Sequence, residues 1–167
     1  SRAEYRILLR QDNADERLTP KAAELGTASK DRIRRVEEKY RMVDELVTFL
    51  RNHTVSPEEI NTFLKEKNTT EINQKIKAIG IATRPQIYLE ELLDTMHVEE
   101  RLSYGKSERK SEIIQAAEIK IKYSGYLERE KGVAEKIKKF ERLKIPEEID
   151  YDELISISTE GREKLSR

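Results

Sequence analysis

Four arginines open the chain at a spacing that suits anion binding. Arg2, Arg6 and Arg10 recur every four residues, and Arg17 follows a polar run, Asp12-Asn13-Ala14-Asp15. On a helix a four-residue step advances about 40° around the axis. The three guanidiniums then share one face, while Tyr5, Leu8 and Leu9, flanked by Ile7, supply the side that packs. Planar forks of permanent charge match phosphate or carboxylate. The competing reading is an ordinary salt-bridged helix and turn, because Glu4, Asp12, Asp15 and Glu16 balance the arginines. A second cluster lies downstream. Lys122, Tyr126 and Arg129 follow i, i+4, i+7 spacing, with Tyr123 about 100° around the axis. Cations that hold phosphate, beside rings that stack on unpaired bases, are the recurring chemistry of RNA recognition. Here the competing reading is that both tyrosines pack beside Gly125. Lys136, Lys138 and Lys139 read as a solvated face.

No other constellation carries chemistry. The six glycines are scattered singly, with no GxGxxG and no P-loop, so nothing in the chain cradles a dinucleotide phosphate. His53 and His97 stand alone at helix ends without a ligand partner, and no metal site follows. The many carboxylates sit at helix starts and on exposed faces, and none is singled out as a general acid or base. No catalytic residue is assigned.

The elements that position these residues are helical. Ser29 caps a helix over about 30–51, in which Ile33, Val36, Tyr40, Val43, Val47 and Leu50 alternate steps of three and four, a coiled-coil-like seam. Thr19-Pro20 reads as an N-cap and first-turn proline for a short helix stopped by Gly26. Ser56-Pro57-Glu58-Glu59 is a capping box. Ile72, Ile76 and Ile79 are spaced for a short helix, and residues 87–96 for another, with Leu89, Leu92, Leu93 and Met96 on its apolar face. Residues 98–110 read as a charged linker, most flexible at Gly105. The longest helix is expected over about 111–143, packed on helix 30–51, with Gly125 tolerated for close packing or a bend and Pro146 ending it. One or two short helices close the chain. Tyr5–Arg10 is the one stretch where a strand could replace a helix. The expectation is an elongated all-α multi-helix fold.

Composition agrees. Charged residues make up 40% and hydrophobic ones 36%, and the mean hydropathy is −0.81. Because the apolar residues cluster periodically, narrow buried helical stripes explain this better than disorder. The absence of cysteine removes disulfide and thiolate chemistry and fits a reducing, cytoplasmic setting. No apolar run approaches the roughly 18 residues needed to span a bilayer. The formal net charge is zero, which argues against strong indiscriminate nucleic-acid binding. Its distribution is uneven, however, with a basic stretch over 118–144 followed by an acidic tail.

Residues 1–19, SRAEYRILLRQDNADERLT, resemble the signature at the end of the flavin-binding part of the GidA (MnmG) family of tRNA uridine 5-carboxymethylaminomethyl modification enzymes. Ile121–Arg129 is similar to the family's KYxGYIxR helix. Ile145–Tyr151 followed by Ser158-Thr159-Glu160 and Lys164-Leu165 is similar to its IPxxxDY and SxExxxKL elements. The resemblance implies that 1–28 is a junction to an absent FAD-binding domain and 29–167 a helical domain that binds tRNA and a partner. It implies an excised piece of a longer protein, in which FAD and NADH run the redox chemistry at the wobble uridine. It also implies an MnmE-type GTPase partner and a homodimer. Carried over residue by residue, Arg2, Arg6, Arg10, Arg17, Lys122, Tyr123, Tyr126 and Arg129 become RNA contacts. Glu4, Tyr5, Asp12, Asn13, Asp15, Gly125, Pro146, Asp150 and Tyr151 become motif residues that shape the fold. Glu16 departs from the family pattern, where an apolar residue is usual, and Glu130 replaces a common Gln. A purely protein-binding helical module is the alternative.

Overall fold

The computed structural model describes residues 6–141, 143–144 and 149–165. In chain order it runs α1 (Ala14–Glu24), α2 (Lys30–Asn52), β1 (Thr54–Val55), α3 (Pro57–Glu66), β2 (Ile76–Lys77), α4 (Ala78–Ala82) and α5 (Leu89–Thr95). Two 3₁₀ turns follow (Glu99–Arg101 and Ser103–Lys106), then α6 (Lys110–Lys122), α7 (Ser124–Glu141), a 3₁₀ turn (Tyr151–Glu153) and α8 (Thr159–Leu165). Residues up to 131 form one compact unit and those from 132 a second. The architecture is all-α, and among the described residues no helix is long and apolar enough to cross a membrane.

The seam read from the sequence organises the first unit. Met42, Val43, Leu46, Val47 and Leu50 of α2 are buried, and α2 makes its most extensive contact with α6, where Ile113, Ile114, Ala117 and Ile121 are buried. The Ser29 side chain accepts from Arg32 N–H and starts α2. Glu59 accepts from Ser56 N–H at 2.7 Å and starts α3. Gly26, at φ +70°, takes the left-handed turn that ends α1, where Thr27 N–H reaches Ala22 O at 2.8 Å.

Several expectations are corrected. Helix 111–143 is not continuous: it breaks at Tyr123, whose φ −96° and ψ 0° end α6. Gly125 is neither a close-packing site nor the break, since a Cβ there would meet nothing within 4 Å. Residues 6–9 form turns and a bend rather than a helix or strand, so Arg6 and Arg10 do not share a helix face. Thr19 does not cap a helix: it is buried inside α1, and Pro20 lies within the same helix. Ile72 and Ile76 do not form a helix. Asn61 instead receives Ile72 N–H at 2.9 Å and donates to Ile72 O at 3.0 Å, pinning the chain outside any helix. That stretch leads into an antiparallel pair with Thr54 opposite Lys77 and Val55 opposite Ile76. Residues 98–110 are no loose linker. Val98 and Tyr104 are buried, Ser103 hydrogen-bonds Glu45, and a Cβ on Gly105 would lie 2.2 Å from Glu99 O. Only glycine permits that approach. Arg2, Glu4, Tyr5 and Pro146 lie outside the described residues.

Candidate nucleic-acid interface

The turn before α1 is built around one asparagine. Asn13 Oδ1 accepts from Arg10 N–H at 3.2 Å and from Arg17 Nε at 2.8 Å, and Asn13 Nδ2 donates to Leu8 O at 3.0 Å. Arg17 also donates to Arg10 O at 3.1 Å. Arg10 in turn grips Asp12 with two nitrogens, Nε at 2.9 Å and an Nη at 3.0 Å, and reaches Ile7 O at 2.6 Å. The motif residues therefore fold the turn; Arg10 engages all three of its guanidinium nitrogens in doing so, and Arg17 two of its three. Arg6 is exposed.

Asp15 anchors the turn to the core. It accepts from Lys39 Nζ at 2.9 Å and from the Tyr40 hydroxyl at 2.7 Å. Burial pushes the Asp15 carboxyl up, but the hydrogen bonds from Lys39 and Tyr40 and the Lys39 charge outweigh it and hold the group below its ordinary value. Burial, then Asp15 itself, pushes the Tyr40 hydroxyl well above its ordinary value. Lys39 also lies 3.9 Å from Glu112, whose carboxyl is lowered chiefly by a hydrogen bond from Arg109. The Lys39–Asp15–Tyr40 cluster was missed in the sequence reading. A lysine one position off the apolar seam, facing an aspartate 24 residues away, leaves no local signal.

At the other cluster the break at Tyr123 separates what the spacing had joined. Lys122 turns inward: its ammonium reaches Ile87 O at 2.7 Å and Glu118 at 2.6 Å. Glu118 also accepts from Leu89 N–H at 3.2 Å, so α6 clamps the start of α5. Tyr123 and Tyr126 turn outward, 45% and 54% exposed, with ring centroids 6.3 Å apart. The Arg129 guanidinium lies 4.9 Å over Tyr126, and that of Arg10 lies 6.0 Å over Tyr123. Arg10, Tyr123, Tyr126 and Arg129 thus form one guanidinium–aromatic surface, which Lys122 does not join. Tyr88, exposed with Lys122 at 5.6 Å from its ring, was read only as part of a helix. Tyr151 begins the last 3₁₀ turn, and Asp150 is exposed just before it. Among the described residues no three His, Cys or carboxylate side chains converge to hold a metal.

The structure defines an all-α helical domain with a guanidinium–aromatic surface, and comparison makes its class specific. Residues 30–131 match the family described as the tRNA modifying enzyme MnmG/GidA C-terminal helical domain. The chain belongs to the MnmG/GidA family. It is 44% identical over 167 residues to the tRNA uridine 5-carboxymethylaminomethyl modification enzyme MnmG of Flavobacterium psychrophilum, matching all of this chain and 26% of that protein. It is also 44% identical to the enzyme of that name from Bacteroides thetaiotaomicron, over 99% of this chain and 27% of that one. A crystal structure of Aquifex aeolicus GidA superposes with a TM-score of 0.60 at 31% identity, over 99% of this chain and 24% of that one. The chain spans about a quarter of the length of these relatives. The family match ends at residue 131, where the first compact unit also ends.

Proposed function

We propose that this helical domain docks tRNA for a wobble-uridine modification enzyme, in a cytoplasmic setting. The guanidinium–aromatic surface of Arg10, Tyr123, Tyr126 and Arg129 meets the RNA. The observation that carries this reading is that two half-exposed rings each lie under an arginine. Stacking of an unpaired base on such a ring contributes about 1–3 kcal/mol, and the guanidiniums add charge toward phosphate. Arg6 adds charge at the exposed turn. Arg17 supports the same surface by fixing the Arg10 backbone.

FAD and NADH belong to the family resemblance, and the residues described here do not fit a dinucleotide. Gly26 ends α1, Gly80 lies in α4, Gly105 in a 3₁₀ turn, Gly125 and Gly132 in α7, and Gly161 in α8. Only Gly80 lies in a helix that follows a strand, α4 after β2, and it stands singly in a five-residue helix, without the further glycines that a pyrophosphate cradle requires.

A second reading attaches to residues from 132 onward. Val133, Phe140, Leu143 and Ile155 are exposed there, and α7 and α8 bury no residue. Such apolar exposure favours a protein contact, with the MnmE-type GTPase or a second subunit as its partner. The test is a titration of wobble-uridine tRNA with the full chain over a range of salt. Tyr126→Ala and Arg129→Ala weaken binding if the surface meets RNA; affinities equal to the parent's overturn the reading.

A further inference from the structure

A cleft of about 440 Å³ opens beside the guanidinium–aromatic surface, within the range of roughly 300–1,000 Å³ typical of small-ligand sites. Its floor is aliphatic: Leu8 from the opening turn, Val43 from α2, Ala116 from α6 and Leu127 from α7, with the Tyr40 ring beside them. Its rim carries charge of both signs. Arg10 is neutralised by Asp12 and Lys120 by Asp44 at 2.5 Å. Arg17 and Lys131 also line the cleft, and among the described residues no carboxylate pairs with either. Glu16 lines it as well, and its carboxylate offers acceptors.

Those three features match the parts of one chemical group. A flat, largely apolar ring fits an aliphatic floor. A phosphate fits two unneutralised cations, one of them a fork with spare donors. An amide or amino N–H on a base edge fits the lone carboxylate. A purely apolar ligand would leave the charges of Arg17, Lys131 and Glu16 without counter-charge, and a bare phosphate would leave the floor wet. Arg10 belongs both to the cleft wall and to the stacking surface, and Leu127 follows Tyr126 directly, so the cleft continues the surface already described.

We propose that this cleft receives a single unstacked nucleotide, its base on Leu8, Ala116 and Leu127 and its phosphate toward Arg17 and Lys131. The proposal rests on the RNA-docking reading for its source, a nucleotide extruded from bound RNA. A free nucleoside monophosphate shares the same chemistry, and the experiment distinguishes the two.

An anticodon stem-loop carrying 2-aminopurine at one loop position at a time is saturated with the full chain. The expected result is a several-fold fluorescence rise at one position, as that base leaves its stack. Ala116→Phe, which fills the cleft, abolishes the rise at saturation. Lys131→Ala, an exposed site that threatens no core packing, shifts the rise to higher protein concentration. Circular dichroism checks that Ala116→Phe folds; if it does not, the Lys131→Ala result decides alone. Tyr126→Ala weakens binding but keeps the rise once saturated. RNA that binds with no position responding, or with a response indifferent to the deciding cleft variant, overturns the proposal and leaves the docking reading intact. RNA that fails to bind sinks the docking reading instead, and uridine monophosphate then decides the cleft. Movement of the Leu8 and Leu127 methyl resonances by the monophosphate, but not by uridine, assigns the cleft to a free nucleotide; no movement overturns it.

Discussion

Lys39 and Asp15 stand 24 residues apart in sequence and meet at 2.9 Å, the lysine side chain 9% exposed and the aspartate 25%. This pair, with the Tyr40 hydroxyl as third member, fastens the opening turn and α1 onto α2. Removing the carboxylate leaves a buried ammonium with only Glu112, at 3.9 Å, as counter-charge, whereas removing the ammonium leaves a part-exposed carboxylate that Tyr40 still serves. Asp15→Ala is therefore expected to cost about 3 kcal/mol and Lys39→Met about 1 kcal/mol. Urea denaturation of both variants checks the order, and equal losses would show that the pair does not hold α1.

The same cluster sets the acid limit. The Asp15 carboxyl titrates below its ordinary value of 3.8 when folded. Its contribution to stability is therefore complete above that value and is lost as the pH falls through the depressed folded value. Glu112, lowered by Arg109, adds a shallower loss from its ordinary 4.5 downward. Asp15→Asn should flatten the acid limb of a stability–pH curve without altering its shape near neutrality.

At the alkaline end, burial and the nearby Glu99 and Asp94 push the Tyr104 hydroxyl up to about 12, and Tyr40 titrates higher still. Stability is complete below the ordinary tyrosine value of 10 and falls as the pH rises from 10 toward 12, while the unfolded chain ionises first. Tyrosinate absorbance should show late ionisation from Tyr40 and Tyr104, and Tyr104→Phe should remove part of it.

Gly105→Ala should destabilise by about 2 kcal/mol, because the new methyl meets a backbone oxygen rather than a flexible side-chain end. Gly125→Ala, with nothing within 4 Å of the new atom, should stabilise α7 by up to about 1 kcal/mol. Thermal melts of the two variants should shift in opposite directions.

Lys122 and Arg129 separate packing from docking. Lys122→Met loses two internal acceptors and should cost about 1–2 kcal/mol of stability, while leaving the salt dependence of tRNA binding unchanged. Arg129→Ala should leave the melt alone and lower the salt slope by about 0.7–0.9. The reverse pattern would move the RNA contact to the other side of α6.

The periodic parts of this fold were legible in the sequence. The α2 seam, the Ser29 cap and the Ser56 capping box depend on residues three and four apart, and a local pattern reports local bonds. What escaped depends on distant partners. The break at Tyr123 occurs where the buried stripe of α6 ends at Ile121, while the glycine that drew attention lies two residues further on. Tyr104 looked like part of a charged loop because its packing comes from elements far away in sequence. Asn61 takes up the backbone N–H and C=O of Ile72 from eleven residues away. At the site, types and order were legible, but the sequence could not tell that Lys122 points inward while Tyr123 and Tyr126 point out. That difference follows from a break in the helix that periodicity assumes continuous.

Among the described residues from 132 onward none is buried, and this has a thermodynamic corollary. α8 is only 7 residues long, and helices so short hold together weakly without tertiary support. Backbone amides of α8 should trade hydrogen for deuterium almost as fast as those of an unfolded peptide, whereas those of Leu46 and Leu50 wait for global opening. Whatever protein settles on that segment must supply the missing interior. Slowed exchange confined to it would then map the arriving partner directly.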